Sequence, residues 1–484
     1  MSAPLDKAAP IAIVGAGVFG LSSAIHLVRR GYHNVTVFDR QPYHETLYDF
    51  DRGCDAASAD LNKIIRAAYG HETWYQNFTL EAIKAWETWN ESLAKGTTLP
   101  PGMTNQDRIY VNCGNYHFGD HGDAAGLNPF EKASVENLTK AGLGHTQYLF
   151  ASNPQEVNRA KADGYGYAVD PFHLSHDGQP PSGYLDMIGG FVYADKACRY
   201  ALHLAQQLGV QLILDRQAGR FEGFLETTTG EVTGIRTADG KHHAAALTIL
   251  ACGGWTPTLI PEMDGLCETT AGSVAMIHIP KDSPLRRRFS ASNFPVFQWN
   301  VRSGENGNLY GFPLDDRGVL KIGYRGTKYT HPQVQLDGRV RSAPITKWTA
   351  PSVSGLPEKS VSVIQGFLDR YLPELKEAGI GISQTRLCWY TDSYDNHWVI
   401  DRVAGKNGVM VATGGSGHAF KFLPVLGRLV VDRVEGVESE LLELVKWRKL
   451  GDGEKGTNEL MRGFEDGNAL QKVRLVSELR ESRL

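Results

Sequence analysis

The chain has 484 residues, of which 42% are hydrophobic and 21% are charged, and its formal net charge at pH 7 is −4. This composition is typical of a soluble globular protein of two or three domains, and the slight acidity argues against a nucleic-acid-binding surface. No apolar run approaches the roughly 18 residues that a bilayer-spanning helix needs, and the first ten residues lack the apolar core of a secretory signal. The six cysteines are scattered without a C-x-x-C pair, which predicts a reducing compartment and no zinc site.

A nucleotide-binding pattern opens the chain. Residues Ile11 to Val14 predict a buried strand, Leu21 to Arg30 a helix, and Val35 to Phe38 a second strand. The first turn reads G-x-G-x-x-G: its glycines permit a tight turn, let backbone N–H groups approach a pyrophosphate, and let helix and strand pack closely. An acid ends the second strand, where it is placed to accept hydrogen bonds from a ribose hydroxyl. The pattern predicts dinucleotide binding by Gly15, Gly17, Val18, Phe19, Gly20, Asp39 and Arg40.

A long interruption follows this unit. Trp74 to Leu93 predicts an amphipathic helix, and residues 96–185 are rich in Gly, Pro, Asn and His, which predicts loops with a few strands. Regular elements then return. The sequence predicts a helix at Gly190 to Gly209, a strand at Val210 to Leu214, a hairpin at Gly223 to Arg236 and a buried strand at Ala246 to Cys252. Because NAD dehydrogenases of one block usually repeat their βαβ units without so large an insertion, this order favours a flavin enzyme with a discontinuous nucleotide domain.

The second half predicts an antiparallel sheet over residues 270–345, a helix at Val361 to Tyr371, a buried strand at Gly408 to Ala412 and a helix from about Leu426 to Val434. Two clusters stand out between these elements. Cys388 lies between an extended run and a polar turn, and the glycine-rich run Thr413 to Pro424 ends in a helix that carries a lysine. Backbone N–H groups at such a helix start suit the negative charge that a reduced flavin gains.

Together these motifs resemble the sarcosine oxidase family of FAD-dependent amine oxidases, which includes monomeric sarcosine, pipecolate and saccharopine oxidases and the fungal fructosyl amino acid oxidases. The resemblance rests on the N-terminal fingerprint, on Cys388 followed by Trp-Tyr-Thr-Asp, and on the run Gly415 to Phe422; it covers nearly the whole chain and is weakest over residues 100–185. It implies an α/β (α+β two-domain) fold. We expect a discontinuous Rossmann-like FAD-binding domain at residues 1–95, 186–265 and 386–450. We expect a substrate domain with a mixed, mostly antiparallel sheet at residues 96–185 and 266–385, and a C-terminal tail at residues 451–484.

The resemblance also implies roles for individual residues. Cys388 would carry FAD through a thioether, while Gly415, Gly417 and His418 would lie against the cofactor. Lys421 and Arg66 would hold the carboxylate of the substrate.

Three further residues complete the implied site. Lys63 would lie near the flavin ring, on the same side as Arg66 if this segment is helical. Lys321 would activate oxygen, because a buried cation stabilises the negative charge that oxygen gains, and Tyr310 would lie near the substrate.

Two departures from the family bear on the substrate. Arg325 stands where sarcosine oxidases have a histidine, which argues against a substrate as small as sarcosine and is consistent with a second acidic group. The strand that resembles the sugar-binding strand of fructosyl amino acid oxidases, Phe294 to Val301, has no acid.

We therefore expect a monomeric FAD-dependent oxidase of a secondary-amine amino acid, in which a hydride goes to flavin N5, the imine hydrolyses and O₂ becomes H₂O₂. The alternatives are a fructosyl amino acid oxidase, a flavin dehydrogenase with another electron acceptor, and a non-catalytic flavin-binding protein. The chain ends in Ser482-Arg483-Leu484, similar to the peroxisomal address S-K-L, so we expect a peroxisomal import receptor as a partner.

Overall fold

The computed structural model of the chain describes residues 5–120, 127–151, 153–177, 182–350, 353, 355–451, 453–461 and 468–476. Within these ranges, none of the helices combines the length and the apolar character that crossing a bilayer requires. The C-terminal tripeptide Ser482-Arg483-Leu484 lies outside the described residues.

A six-stranded sheet carries the predicted nucleotide-binding unit. Five of its strands are parallel and the edge strand Val399–Arg402 is antiparallel. The order across the sheet is Val399–Arg402, Val409–Thr413, Leu247–Leu250, Ile11–Val14, Val35–Asp39 and Gln211–Leu214. The continuous apolar run Ile11–Val14 is buried on both sides, because Ile11 and Ile13 pack on the long helices, whereas Ala12 and Val14 pack with Val232 and Ile235 of a small antiparallel sheet. The strands predicted from the sequence in this region are therefore confirmed.

The helices around this sheet begin and end close to the predicted positions. The first runs from Val18 to Arg29, three residues earlier than predicted, because Gly17 is its N-cap. Its buried face, which includes Leu21 and Leu27, packs into one core with the other long helices and the sheet. Those helices are Thr73–Ala94, Ala194–Gln207 and Gly427–Glu435.

An eight-stranded sheet forms the second layer of the molecule. Its order is Gln384–Ser393, Cys267–His278, Val319–Tyr329, Leu309–Gly311, Val296–Trp299, Asn115–Phe118, Tyr184–Asp186 and Gln147–Leu149. Every pairing is antiparallel except that of Val296–Trp299 with Asn115–Phe118, so the predicted mostly antiparallel sheet is confirmed.

The two faces of this sheet differ in chemistry. One face is apolar and packs on the helix Glu358–Tyr371, where the ring of Phe297 stacks on that of Phe367 with centroids 5.4 Å apart. Because side chains alternate along a strand, the residues between these apolar positions point to the other face. In register across five strands, that face carries Gln298, Tyr310, Gly323, Val274 and Arg386. We call it the polar face.

Three predictions of local structure are wrong. Asn62–Ile65 is a strand, so the helical relation between Lys63 and Arg66 does not apply. Gly190–Tyr193, predicted as the start of a helix, is a strand. It pairs closely with Tyr110–Val111, where a Cβ at Gly190 would lie 2.2 Å from the carbonyl oxygen of Val111.

The third concerns residues 96–185, where loops and a few strands were predicted. This region also contains the helices Pro129–Leu138 and Pro154–Ala162. Each begins with an asparagine cap followed by proline, and Asn128 forms a capping box with Glu131. The Asn and Pro residues that indicated loops are therefore helix starts.

The remaining elements are short. A three-stranded sheet joins Asn62–Ile65, Gly190–Tyr193 and Tyr110–Val111; another joins Phe221–Glu226, Val232–Thr237 and His242–Ala244 and contains the predicted hairpin. Two strand pairs are Pro332–Val334 with Val340–Ser342, and Leu356–Pro357 with Leu475–Val476. Further short helices are Tyr43–Thr46, Thr256–Leu259, Leu285–Arg288, Pro373–Glu377 and Glu440–Leu444.

The sheets relate to the predicted domains as follows. All six strands of the six-stranded sheet fall within residues 1–95, 186–265 and 386–450. Gln384–Ser393 crosses the predicted boundary at residue 386 and belongs to the eight-stranded sheet. Within the predicted tail, Leu475–Val476 pairs with Leu356–Pro357. The domain boundaries stay a prediction.

Candidate active site

A cleft runs along the ends of the parallel strands, and we call it the dinucleotide cleft. Gly15, Gly17, Val18, Phe19, Asp39, Arg40, Lys63, Gly415 and Gly417 all line it. Gly15 has φ +108°, and a Cβ there would lie 2.4 Å from the carbonyl oxygen of Ala251. Gly20 lies beneath the cleft, where a Cβ would lie 1.7 Å from the carbonyl oxygen of Gly15. The turn therefore brings bare backbone and a helix start to the cleft, as pyrophosphate binding requires.

One end of the cleft is built around Asp39. Its two carboxylate oxygens accept hydrogen bonds from the backbone N–H groups of Ala16 at 2.7 Å and Gln41 at 2.8 Å. Burial raises the pKa of Asp39 to about 6, although those two hydrogen bonds and Arg40 act in the opposite direction. Each carboxylate oxygen has a further lone pair, so the group remains able to accept a hydrogen bond from a ribose hydroxyl.

The other end of the cleft meets the polar face of the eight-stranded sheet. Tyr390 lines the cleft on the strand Gln384–Ser393, opposite the turn Gly415–Gly417. Cys388 lies two residues away on the same face of that strand, is 1% exposed and is a free thiol. An elongated group that fills the cleft from Asp39 to Gly417 would end beside Cys388.

Beneath this end of the dinucleotide cleft, three cations surround one buried carboxylate, Asp60. Its Oδ2 lies 2.7 Å from Lys63 Nζ and 2.8 Å from Lys321 Nζ, and its Oδ1 lies 3.8 Å from Arg386 Nη1. Lys321 also donates a hydrogen bond of 2.7 Å to the carbonyl oxygen of Asn62. These two contacts link the segment Asp60–Lys63 to the strand that carries Lys321.

Asp60, Lys63 and Lys321 shift one another's pKa values. Burial by itself raises the pKa of Asp60, but Lys321, Lys63 and Arg386 hold it well below its ordinary value. Burial lowers the pKa of Lys321 to about 8, and Asp60 limits the fall while Lys63 adds to it. Burial also disfavours the charge on Lys63, yet Asp60 raises its pKa above the ordinary value. Asp60 is a residue that sequence reasoning missed. The signal that could have indicated it is that Lys63 and Lys321, if both point into the site, need a carboxylate as counter-ion.

A chain of hydrogen bonds positions Lys421. Its Nζ donates to the hydroxyl oxygen of Tyr69 at 2.8 Å, and Tyr69 lies 3.1 Å from Nδ1 of His418, whose Nε2 lies 2.9 Å from the carbonyl oxygen of Asn396. Because a carbonyl only accepts, Nε2 carries the proton and Nδ1 accepts from Tyr69. Burial and then Lys421 hold the pKa of His418 well below its ordinary value, which agrees with a neutral ring.

Lys421, Arg66, Arg325 and Tyr69 form what we call the carboxylate pocket. Arg66 lies over the ring of Tyr69 at 5.0 Å and donates to the carbonyl oxygen of Ala68. Arg325 lies over the ring of Tyr390 at 5.5 Å and donates to the carbonyl oxygen of Ser416 at 3.2 Å. Burial and then Arg66 and Arg325 hold the pKa of Lys421 well below its ordinary value. The pocket is therefore poor in negative charge and suited to an anion.

Tyr310 completes the polar face. Its ring lies across Gly323 of the next strand, where a Cβ would be 2.1 Å from Cζ, and its hydroxyl interacts electrostatically with that of Tyr390. The two tyrosines thus form a fixed pair between the Lys321 cluster and Arg325.

Comparison with known proteins identifies the fold family. A family model described as DAO, FAD dependent oxidoreductase, matches residues 10–433. The chain belongs to this family.

Two relatives in the DAO family align along most of the chain. L-saccharopine oxidase of Schizosaccharomyces pombe is 25% identical over 455 residues, which cover 91% of this chain and 93% of the relative. Monomeric sarcosine oxidase of a Bacillus species is 25% identical over 421 residues, covering 86% and 90%. The predicted resemblance to the sarcosine oxidase family is confirmed, and the chain is an FAD-dependent oxidoreductase.

Solved structures share the fold. Amadoriase II, a deglycating fructosamine oxidase from Aspergillus fumigatus determined in complex with FSA, superposes with a TM-score of 0.70 at 25% identity and covers 92% of this chain and 90% of its own. Fructosyl peptide oxidase from E. terrenum gives 0.75 at 25% identity, covering 93% and 95%. The predicted two-domain α/β fold is confirmed.

The dinucleotide cleft fits FAD. A backbone turn with no room for side chains meets the pyrophosphate position, Asp39 lies at the ribose position, and the far end opens onto a basic, aromatic wall. The structure brings the predicted residues into two groups, one around Asp60 and one around Tyr69. Their individual roles stay predictions.

The Asp60 cluster gives a first test. Asp60→Asn leaves the buried Lys321, Lys63 and Arg386 without a carboxylate, so we expect the free energy of unfolding to fall by about 3 kcal/mol. Urea unfolding followed by circular dichroism measures it. The control is Glu81→Gln, which breaks an exposed pair with Arg428 and should cost less than about 1 kcal/mol. A loss no larger than that of the control would show that Asp60 does not hold the cluster.

Proposed function

We propose that the chain is an FAD-dependent oxidase of a secondary-amine amino acid that reduces O₂ to H₂O₂. The observation that carries the proposal is the carboxylate pocket, a partly buried group of cations placed beside the end of the dinucleotide cleft. FAD, when bound, supplies the two-electron chemistry by accepting a hydride from the carbon next to the amine nitrogen. The relatives named saccharopine oxidase and sarcosine oxidase support an amine substrate.

The chain binds and orients the substrate. Lys421 and Arg66 would hold the carboxylate, and the chain from Lys421 through Tyr69 to His418 fixes the position of the ammonium group. An arriving carboxylate offsets the mutual repulsion of Lys421, Arg66 and Arg325, so binding is favoured by charge as well as by hydrogen bonds. Fixing the carboxylate fixes the distance of the amine from the cleft.

Proton transfer needs little from the protein if the amine binds neutral. Both ring nitrogens of His418 are engaged by Tyr69 and Asn396, so this histidine is not free to act as a base. Burial raises the pKa of both Tyr310 and Tyr390, so neither hydroxyl is suited to act as a base. Selection of the neutral amine by the positive pocket is the simplest account.

Lys321 would assist the reaction with oxygen. It is 1% exposed, is fixed by Asp60 and Asn62, and lies on the polar face close to Cys388. A preorganised ammonium group in a low-dielectric site stabilises negative charge that builds on oxygen. The need for the protonated form gives the step a pH dependence.

Cys388 would hold FAD covalently through a thioether. Its free thiol on the polar face, beside the lining residue Tyr390, supports the proposal. We expect the yellow colour to stay with the denatured chain after gel filtration in urea, and to be released in Cys388→Ala. Release of the flavin from the unaltered chain would exclude the thioether.

A fructosyl amino acid is the alternative substrate, and the names of the solved relatives favour it. The strand Val296–Trp299 carries Gln298 on the polar face, with its amide 3.0 Å from Nε2 of His117, whose Nδ1 lies 3.2 Å from Glu131. Glu131 is thus committed to His117 and to its own helix cap. Among the described residues, that strand presents an amide and no carboxylate, which disfavours a sugar-binding acid there.

Peroxisomal import is proposed on the basis of the final tripeptide alone. An S-R-L terminus is similar to the S-K-L address, and production of peroxide beside catalase is consistent with that compartment.

The central test is anaerobic mixing with amino acids. Secondary-amine amino acids should bleach the oxidised flavin absorbance in a saturable way, because their carboxylate is held by Lys421 and Arg66. Stopped-flow absorbance measures the rate, and the matching primary amino acids and decarboxylated amines serve as controls. A yellow protein that no secondary-amine amino acid bleaches would refute the proposal.

A second test concerns the acceptor. In Lys321→Met, reoxidation by O₂ should slow by about 100-fold or more, while anaerobic reduction by substrate should change little. In the unaltered enzyme the reoxidation rate should fall as the pH rises through about 8, where Lys321 loses its proton, and this dependence should vanish in the variant.

The control for this variant is Lys241→Met, a substitution of an exposed lysine that should leave both rates unchanged. Rapid reoxidation of Lys321→Met by O₂ would remove the proposed role, and reduction without any reaction with O₂ in the unaltered enzyme would favour the dehydrogenase alternative.

A further inference from the structure

The carboxylate pocket holds more positive charge than one carboxylate uses. Among the described residues, no Asp or Glu oxygen lies within 4.0 Å of a side-chain nitrogen of Lys421, Arg66 or Arg325, the criterion by which ion pairs elsewhere in the chain are recognised. A single carboxylate bound by Lys421 and Arg66 would leave Arg325 without an anion. An unpaired guanidinium beside other cations is costly at a partly buried site.

Arg325 is placed to bind an anion of its own. Its Nη2 donates to the carbonyl oxygen of Ser416, but its Nε is buried and has no hydrogen-bond partner among the described residues. The guanidinium lies against the backbone of Gly417, where a Cβ would be 2.6 Å from Nη2, and over the ring of Tyr390. These contacts fix the plane of the guanidinium and leave most of its five N–H donors available. The group can therefore form two parallel hydrogen bonds with one carboxylate.

The positions of Arg66 and Arg325 are distinct. Arg66 lies against Tyr69 and Phe130, whereas Arg325 lies against Tyr390 and Gly417. Lys421 interacts electrostatically with both. The pocket therefore offers two anion positions that share Lys421, one on each arginine.

The approach to the pocket carries a third arginine. Arg302 stacks over the ring of Phe130 at 4.1 Å, and Arg66 lies over the same ring at 5.7 Å. Glu72 interacts electrostatically with both arginines, and Glu459 interacts with Arg302. Because these acids offset the charge of Arg302, the positive charge that is available to a second anion is that of the pocket itself.

We propose that the substrate is an N-(carboxyalkyl) amino acid, a secondary amine with a carboxylate on each substituent, and that Arg325 binds the second carboxylate. This inference rests on the proposed oxidation of a secondary amine. In the reaction the bond between carbon and hydrogen next to nitrogen is lost as a hydride, the nitrogen loses a proton, and O₂ takes up the two electrons and two protons as H₂O₂. Water then adds to the imine carbon and the C–N bond breaks, which yields a primary-amine amino acid and an oxo acid.

The test compares matched amines in anaerobic stopped-flow reduction. The pair is an N-(2-carboxyethyl) amino acid and its N-propyl counterpart, which differ in the second carboxylate. We expect the unaltered enzyme to prefer the dicarboxylate about 100-fold in the ratio of reduction rate to dissociation constant, since a charge-assisted bidentate pair contributes at this level. Arg325→Gln should abolish that preference, measured as the ratio of the two substrates within the variant, and Arg325→Lys should restore part of it.

A binding readout separates recognition from chemistry. Calorimetry with 3-(carboxymethylthio)propionate and (propylthio)acetate, in which sulfur replaces the amine of the two glycine derivatives, should show the same preference and the same loss in Arg325→Gln. The control is Arg428→Gln, which removes an exposed arginine from its pair with Glu81 and should keep the preference intact.

The outcomes are distinguishable. Equal reduction by both amines, or equal slowing of both in Arg325→Gln, overturns the second-carboxylate inference and leaves amine oxidation standing. Equal slowing would indicate that Arg325 acts on the cofactor. No reduction by either amine overturns the proposed function itself.

Discussion

A single buried carboxylate balances the charged floor of this site. Asp60 lies within 2.8 Å of two lysines and within 3.8 Å of an arginine; Asp60, Lys321 and Arg386 are buried, and the side chain of Lys63 is 19% exposed. Burial and Lys63 lower the pKa of Lys321, and Asp60 limits that fall. The strand that carries Lys321 belongs to the eight-stranded sheet, while Asp60 precedes a strand that packs beside the nucleotide unit. The ion pair therefore joins the two layers of the molecule at the point where the cofactor end of the cleft lies.

The carboxylate pocket shows the opposite arrangement. Burial and then the nearby Arg66 and Arg325 lower the pKa of Lys421, yet the described part of the chain places no carboxylate in contact with these three cations. The described residues place a counter-ion beside Lys321 and none beside Lys421, which in the proposed function are the groups that face oxygen and the substrate. Charge that the fold leaves uncompensated is available for binding, and we regard this contrast as the basis of both recognition and turnover.

The sequence was informative where the determinants are local. The glycine turn, the apolar strand Ile11–Val14 and the long helix Thr73–Ala94 follow from residue type and spacing within one segment. The asparagine and proline residues of residues 96–185 were local signals too, but they were taken for loops although Asn128 and Asn153 cap helices. Gly190–Tyr193 was predicted as helix because its pairing with Asn62–Ile65 depends on residues far away in the chain.

The site itself was only partly visible in the sequence. Resemblance identified Lys321, Lys421 and Arg66, but Asp60 and Tyr69 appear only when the fold brings distant segments together: Asp60 precedes Lys321 by 261 residues, and Tyr69 precedes Lys421 by 352. The alternation that gives the eight-stranded sheet a polar face depends on register across five strands, which no single stretch of sequence specifies.

The most direct test of the account is a titration of the oxidised yellow protein with methylthioacetate, a carboxylate that is not an amine and is not expected to be oxidised. The account predicts a saturable change in the flavin absorbance spectrum, lost in Lys421→Met, because the carboxylate pocket lies beside the cofactor end of the cleft. A spectrum that does not change at any concentration, or a change that persists undiminished in Lys421→Met, would contradict it.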